Sequence, residues 1–326
     1  MHRRYCVKFA ITTIFSMLVF SAQAQDANSY PSKPIRIIVN FPPGGTVDVM
    51  TRGVAQKLTE KWGQAVVVDN RPGAGGNIGA QAVASAEPDG YTLLATPPGP
   101  MTINQYLYKD MRFDPAKLSS VIMMASVPNA IAARIDFPAN NVKELIAYTK
   151  ANPGKVSFGS QGNGSTSHLT GQMFATMVGS DMMHIPFKGE GPALTEILGG
   201  RVDLFLGNIS AVLKLYQNKQ IKLLGVASPK RSPMANEIPA SQEFGMPDFV
   251  ASAWFAIAAP PGTPAPIVNK LNAAILEALK LPDTQQKMAA LGGEVVGGSP
   301  ADMTTMVIAE RARWKKVIET ANVKLD

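Results

Sequence analysis

The sequence predicts an α/β protein of two units, each with a mainly parallel sheet flanked by helices. Three observations lead to this prediction. Short β-branched runs such as Ile35–Val39 alternate with amphipathic helical segments, and this alternation is typical of parallel βαβ crossovers. The alternation pauses between residues 96 and 125 and starts again near Ser126. With 326 residues, the chain is also long enough for two domains of ordinary size.

The first 24 residues have the pattern of a secretory signal peptide. Arg3, Arg4 and Lys8 form a basic start, residues 9–20 form an apolar stretch, and Ala22–Ala24 form a small-residue cleavage site. We therefore expect export with cleavage directly after this site. No later stretch is apolar for as long as a transmembrane helix requires.

Cysteine content and charge exclude several functional classes. The single cysteine, Cys6, lies inside the signal segment, so the mature chain has no disulfide, thiol nucleophile or thiolate metal ligand. Loss of three basic residues with that segment lowers the net charge from +7 to +4, and the remaining basic residues are scattered. This distribution argues against nucleic acid as a partner and is compatible with a small anionic ligand.

The first strand, its turn and the helix after it form the most informative stretch. Prolines and glycines at 42–45 end the strand, Thr46 is a predicted N-cap, and Asp48 lies in the first helical turn. Free backbone N–H groups and the positive end of the helix dipole then face outward from the strand end, which predicts an anion site. Its predicted members are Phe41, Gly44, Gly45 and Thr46. Asp48 is predicted either to bind an amine of the ligand or to order the neighbouring loop.

The remaining elements follow in order. The first unit continues with strand 65–68, a glycine-rich loop at 69–76, helix 77–86 and strand 91–95. In the second unit, strands 155–158, 183–187, 202–206 and 223–227 alternate with helices 142–150, 165–177, 192–198 and 209–216. The apolar segment 249–258 returns the chain to the first unit, which helices 266–280, 282–291 and 300–320 complete. We predict a first domain of residues 25–126 and 250–326 and a second domain of residues 127–249.

Two further glycine-rich turns lie where a predicted strand meets a helix. The turn at 159–168 contains Ser160, Gly164, Ser165, Thr166 and His168, and the turn at 188–192 begins with Lys188 and Gly189. Glycine lets backbone approach a ligand closely, and hydroxyl groups suit carboxylate oxygens. Asn208, at the end of another strand, adds a side-chain amide. For any one of these turns, the alternative is that its glycines only shape the chain. Three such turns on two domains favour a ligand-binding cleft.

Catalytic and cofactor motifs are weak. Residues 73–79 depart from the dinucleotide pattern because Ile78 occupies its last glycine position, and no His/Asp/Glu group has metal-ligand spacing. We therefore expect neither a cofactor nor a metal. A serine hydrolase that uses Ser165 and His168 remains an alternative, although their spacing at a helix start disfavours it. His168 is predicted either to contact the ligand or to form a hydrogen bond with its own loop. Trp254 is predicted either to line the cleft or to pack in the core.

From Tyr30 onward the chain carries a series of short motifs. They are YPSKPIR at 30–36, FPPGG at 41–45, NRPGAGGN at 70–77, PDGYTLL at 88–94, GGRVD at 199–203 and PPGTP at 260–264. In this order the motifs resemble the Bug family, the extracytoplasmic solute receptors of tripartite tricarboxylate transporters. Residues 96–100, TPPGP, depart from the family, where small polar residues are more usual.

The resemblance implies a fold, a ligand class and partners. It implies a periplasmic binding protein of type II, in which two α/β lobes joined by two crossover segments close on the ligand. The implied ligand is an organic mono- or dicarboxylate, aliphatic or aromatic, held by the loop at 41–46 and the loop at 160–166, with Thr96 nearby. The implied partners are the large and small membrane subunits of the transporter, and we expect a monomer without enzymatic activity. A receptor that signals to a sensor partner remains an alternative.

Overall fold

A computed structural model describes residues 29–325, and the predicted signal peptide with its cleavage site lies outside the described residues. The strands are β1 (Ile35–Val39), β2 (Val66–Asn70), β3 (Thr92–Thr96), β4 (Ser119–Arg134), β5 (Ser157–Ser160), β6 (Met183–Pro186), β7 (Leu204–Asn208), β8 (Ile221–Val226), β9 (Ser252–Ala259) and β10 (Glu294–Gly297). The α-helices are α1 (Thr46–Trp62), α2 (Asn77–Ala84), α3 (Val142–Ala151), α4 (Thr166–Val178), α5 (Glu190–Leu198), α6 (Ile209–Gln217), α7 (Ala265–Lys280), α8 (Pro282–Ala290) and α9 (Pro300–Thr320). No helix in this range is both long enough and apolar enough to cross a bilayer.

The described strands form one mixed sheet of ten strands. Its order is β2-β1-β3-β9-β4-β7-β5-β6, with β8 and β10 each paired to β4. Strand β1 is parallel to β2 and β3, and β5 is parallel to β6 and β7. Each antiparallel pair within the described range involves β4 or β9. The predicted α/β fold with helices between parallel strands is confirmed.

Strand β4 joins two groups of strands, which we call the first half (β1, β2, β3, β10) and the second half (β5 to β8). Residues 119–128 of β4 pair with β9, and residues 129–134 pair with β7 and β8. The predicted boundaries at 126/127 and 249/250 fall where β4 and the segment entering β9 run side by side, since Asn129 N donates to Ala251 O at 2.9 Å. The division into domains 25–126 with 250–326 and 127–249 stays a prediction.

The cores of the two halves explain why these segments form these elements. The β-branched residues of β1 are buried. Ile35, Ile37 and Val39 pack in one cluster with the apolar face of α1 that contains Met50, Val54 and Leu58, and Ile38 packs on the other side of the sheet with residues of α2. The last helix, α9, packs against both halves. Its Met303 and Val307 pack with Leu94 and Trp254, whereas Trp314 and Ile318 pack with Phe158 and Phe174 of the second half.

Candidate functional site

Turns that follow the carboxyl ends of four strands meet between the two halves. The turn after β1 comes from the first half, and the turns after β5, β6 and β7 come from the second. They enclose a cavity of about 350 Å³, which we call the cleft cavity, a size within the range of small-molecule sites. Its wall includes residues 41–47 from the first half and Gln161, residues 189–192 and Asn208 from the second.

The turn after β1 brings the N-terminus of α1 to this cavity. Gly44 has φ +82°, a conformation that favours glycine, and Gly45 is extended and acts as the N-cap. Thr46, predicted as the N-cap, is instead the first helical residue. Because glycine has no side chain, no residue of the adjoining turn caps α1 through a side-chain hydrogen bond. Thr46 lines the cavity, and its N–H, which has no acceptor within the helix, donates to a side chain of the second half that also lines the cavity.

Asp48 orders this turn and does not line the cavity. Its carboxylate accepts hydrogen bonds from Gly44 N at 2.9 Å and Asn70 Nδ2 at 2.9 Å, and it pairs with Arg52 one turn later. Burial opposes ionisation, but hydrogen bonds from Arg52, Gly44 and Asn70 outweigh it and lower the pKa of Asp48. Of the two roles expected for this residue, the ordering role is the one that its contacts match.

Glu190 occupies the centre of the cleft, although the sequence analysis did not single it out. Its Oε1 accepts hydrogen bonds from Gln161 Nε2 at 2.6 Å and Asn208 Nδ2 at 2.5 Å. Its Oε2 accepts one from Thr46 N at 3.2 Å, and Thr46 Oγ1 lies 3.0 Å from Oε1. The residue keeps some exposed surface, but protein atoms densely surround its carboxyl group, and this burial raises its pKa, partly offset by the bonds from Thr46 and Asn208.

A local signal for Glu190 was present in the sequence. We predicted that α5 begins at Pro192, since proline is common at the first helical position. The helix instead begins at Glu190 after Gly189, so that the proline lies within the first turn. An acidic residue in the first turn is itself a helix-start signal. The helix start at Glu190 brings this residue to the wall of the cavity.

Four buried asparagines in the described part of the chain have amide oxygens without a hydrogen-bond partner, and two of these residues line cavities between the halves. Asn208 Oδ1 is one of them, and Asn208 lines the cleft cavity. Asn40 Oδ1 is another, and Asn40 lines a neighbouring cavity of about 630 Å³, which we call the rim cavity. Buried polar atoms of this kind normally bond to water or a ligand. Both cavities thus offer an acceptor to a hydroxyl group.

The two halves touch on either side of these cavities. A Cβ on Gly189 would lie 3.1 Å from Pro42 Cγ. Farther along the interface, Tyr108 OH donates to Asn163 O at 2.9 Å. A Cβ on Gly164 would lie only 2.3 Å from Asn104 Oδ1. We call this arrangement, in which the halves are in contact beside both cavities, the closed conformation.

The structure divides the predicted contact residues into two groups. Phe41, Gly44, Gly45, Thr46, Gly189 and Asn208 line the cleft cavity, and Lys188 lines the rim cavity. The others, Asp48, Thr96, Ser160, Gly164, Ser165, Thr166 and His168, line neither cavity. Thr96 Oγ1 accepts a hydrogen bond from Asn40 Nδ2 at 2.8 Å, and Ser165 is the N-cap of α4.

The geometry does not provide the catalytic pair of the hydrolase alternative. Ser165 Oγ donates to Gly162 O at 2.6 Å, and His168 Nδ1 accepts from Gly164 N at 3.3 Å. The His168 ring stacks on His184 at 3.9 Å, and His184 Nε2 lies 2.7 Å from Ser160 Oγ. His168 thus bonds to its own loop. Within residues 29–325, no group of three or more His, Cys, Asp or Glu side chains could hold a metal ion.

The stacked histidines predict a pH-dependent stability. Burial lowers the pKa of His168 to about 3, with the neighbouring His184 adding to the effect, and burial lowers the pKa of His184 to about 4. Because unfolded histidine titrates near pH 6.5, the unfolded chain binds more protons below that pH. Well above pH 6.5 both histidines are neutral in the folded and in the unfolded chain, and no stability is lost. By pH 5 about 2 kcal/mol of unfolding free energy should be lost for each histidine, which is about 4 kcal/mol for the pair.

Urea unfolding of the wild-type protein at pH 7.5 and pH 5 measures this loss. His184→Gln should have a flatter dependence of unfolding free energy on pH, whatever its absolute stability. Equal unfolding free energies of the wild type at both pH values would contradict the assignment.

Comparison with known proteins places this geometry in a family. Residues 50–323 match the model of the "Tripartite tricarboxylate transporter family receptor". The chain is 37% identical over 318 residues to the protein BugT of Bordetella pertussis, covering 97% of this chain and 98% of BugT.

Two solved structures are also similar. R. palustris Rpa4515 with adipate has a TM-score of 0.88 at 38% identity, over 91% of this chain and all of that one. MatC from Rhodopseudomonas palustris with bound malate has a TM-score of 0.84 at 30% identity, over 89% of this chain and all of that one. The chain therefore belongs to the receptors of the tripartite tricarboxylate transporter family.

Proposed function

We propose that this protein is a periplasmic receptor that captures an organic dicarboxylate in the cleft cavity and delivers it to a tripartite tricarboxylate transporter. One observation carries the proposal. In the closed conformation, donors from both halves, Thr46 from one and Gln161 and Asn208 from the other, converge on a single carboxylate, that of Glu190. The same donors suit a carboxylate of a ligand.

The relatives support the ligand class. The similar structures contain adipate in one case and malate in the other, and both molecules are aliphatic dicarboxylates. The rim cavity shares Phe41, Pro42, Gln161 and Gly189 with the cleft cavity. A ligand with two carboxylates has room to extend from one cavity toward the other, where Lys188 supplies a positive charge and Asn40 an acceptor for a hydroxyl group.

The proposal assigns roles to the predicted site residues. Direct contacts come from residues that line the two cavities: Phe41, Gly44, Gly45, Thr46, Lys188, Gly189 and Asn208. Thr96, Ser160, Gly164, Ser165, Thr166 and His168 hold the turns behind them in place. In this proposal the protein is exported, loses residues 1–24, acts as a monomer without catalysis, and docks on the membrane subunits of the transporter.

Isothermal titration calorimetry of the purified protein tests the proposal. The panel contains adipate and malate, the aromatic dicarboxylate phthalate, and the monocarboxylates acetate and benzoate. We expect at least one dicarboxylate to bind at one site per chain, more tightly than a monocarboxylate of similar size. Absence of binding across the panel, with native mass spectrometry showing folded protein without a copurified ligand, would contradict the proposal.

A further inference from the structure

The Glu190 carboxylate uses the donors that line its part of the cleft cavity. Thr46 N, Thr46 Oγ1, Gln161 Nε2 and Asn208 Nδ2 all lie within 3.2 Å of its oxygens. Thr46 comes from the first half and the two amides from the second, so the contact joins the halves. None of the described lysine or arginine side chains forms an ion pair with it. A carboxylate held only by hydrogen-bond donors at a helix N-terminus resembles a bound anionic ligand.

The local structure of α1 explains why an acid from the other half occupies this place. Gly45, the N-cap of α1, has no side chain with which to cap the helix. Glu190 accepts a hydrogen bond from the first helical N–H, that of Thr46, across the cleft, and it is also the first residue of its own helix, α5. Both helix dipoles favour a negative charge at this point.

With Glu190 in place, this end of the cavity offers acceptors and few donors. Asn208 Oδ1 on its wall is a buried acceptor that has no partner in the described range. A ligand carboxylate placed beside Glu190 would meet a like charge, and Thr46 N, Gln161 Nε2 and Asn208 Nδ2 already donate to Glu190, so this placement is unfavourable.

We propose that Glu190 is an internal occupant of the carboxylate subsite, which a ligand carboxylate must displace when it binds. The inference rests on the proposed function, because it assigns the same donors to the ligand. Glu190 then determines affinity and selectivity. A ligand has to offer Thr46, Gln161 and Asn208 better hydrogen bonds than the resident carboxylate does, and it has to reopen a contact between the halves.

Calorimetry with adipate and malate on Glu190→Ala and Glu190→Gln tests the proposal. Alanine frees the donors. Glutamine loses the charge and replaces one acceptor oxygen with an N–H₂ donor, so it holds the donors more weakly than the carboxylate does. We expect both variants to bind the acid roughly tenfold more tightly than the wild type, which is what relief from competition by about one charge-assisted hydrogen bond gives. Glu196→Gln is the matched control, because Glu196 lies on the same helix and pairs with Arg201 away from the cavity. Its affinity should equal that of the wild type.

Unchanged or weaker binding by both Glu190 variants, while the wild type binds, would overturn the proposal, since Glu190 would then be a bystander or a direct ligand contact. If no protein in the set binds adipate, malate or any other acid of the calorimetry panel, the proposed function fails, and small-angle X-ray scattering of the free proteins decides about Glu190. A larger radius of gyration for Glu190→Gln than for wild type and Glu196→Gln would support its role as occupant. Equal radii would overturn that role. Circular dichroism confirms that each variant is folded.

Discussion

Gly164→Val is expected to reduce binding of the dicarboxylate by roughly 100-fold or more, a loss of about 2.7 kcal/mol in binding free energy. A Cβ at this position would lie 2.3 Å from Asn104 Oδ1 and 3.3 Å from Tyr108 Cε2, both across the contact between the halves. Asn104 has little freedom to move, because its Nδ2 donates to Gly75 O and Asn77 Oδ1. The clash is therefore relieved by separating the halves, which disrupts the site that both halves form.

Gly154→Val provides the matched control for this experiment. Gly164 has φ +78° and Gly154 has φ +72°, so valine strains the backbone similarly at both positions, by about 1–2 kcal/mol. A Cβ on Gly154, however, would meet no other atom within 4 Å. Calorimetry should find wild-type affinity for this control. Binding by Gly164→Val within threefold of the wild type would show that closure at this contact is not required.

Trp314→Ala is expected to cause the largest loss of stability, about 3–5 kcal/mol in the free energy of unfolding. The side chain is fully buried in the core of the second half. Its Nε1 also donates to Glu310 Oε2 at 2.9 Å, an oxygen that accepts from Trp254 Nε1 as well. Truncation removes the packing of the indole and leaves a cavity between α9 and the second half.

Urea unfolding at pH 7.5 measures this effect. Trp314→Phe keeps an aromatic ring in the core and loses the indole N–H and part of the ring volume, so its loss of stability should be clearly smaller. Because Trp314 does not line either cavity, the folded fraction of each variant should bind the dicarboxylate with wild-type affinity. A loss below about 1.5 kcal/mol for Trp314→Ala would contradict the burial on which the prediction rests.

The sequence predicts the positions of helices and strands well where the residues of the element itself determine its conformation. The β-branched run of β1, the helical spacing in α1 and the proline at the start of α9 place these elements correctly.

The prediction was incomplete around β4, because Pro128 in its middle looks like a break. In the structure Pro128 lies where β4 exchanges β9 for β7 and β8 as its main partner. A proline is tolerated there because Pro128 is the last residue of β4 that pairs with β9, so its missing N–H lies at the end of that ladder. The short strand β10 was missed because glycines surround it.

The candidate site was predictable only in part, for a different reason. Glycine turns after strands are local features, so Gly44, Gly45 and Gly189 could be assigned to the cleft in advance. The hydroxyl of Ser165 could not be assigned, because the same group serves equally as a helix cap or as a ligand donor. The role of Glu190 was also hidden, since it depends on an uncapped helix that lies 144 positions earlier in the chain at Thr46.

A crystal structure of the wild-type protein with the dicarboxylate that binds most tightly tests the central claim most directly. We expect one ligand carboxylate within hydrogen-bond distance of Thr46 N and of the Gln161 and Asn208 side-chain amides, with the Glu190 carboxylate moved away from all three. A ligand bound outside the cleft between the halves, or bound there while Glu190 keeps its bonds to Thr46, Gln161 and Asn208, would contradict the account.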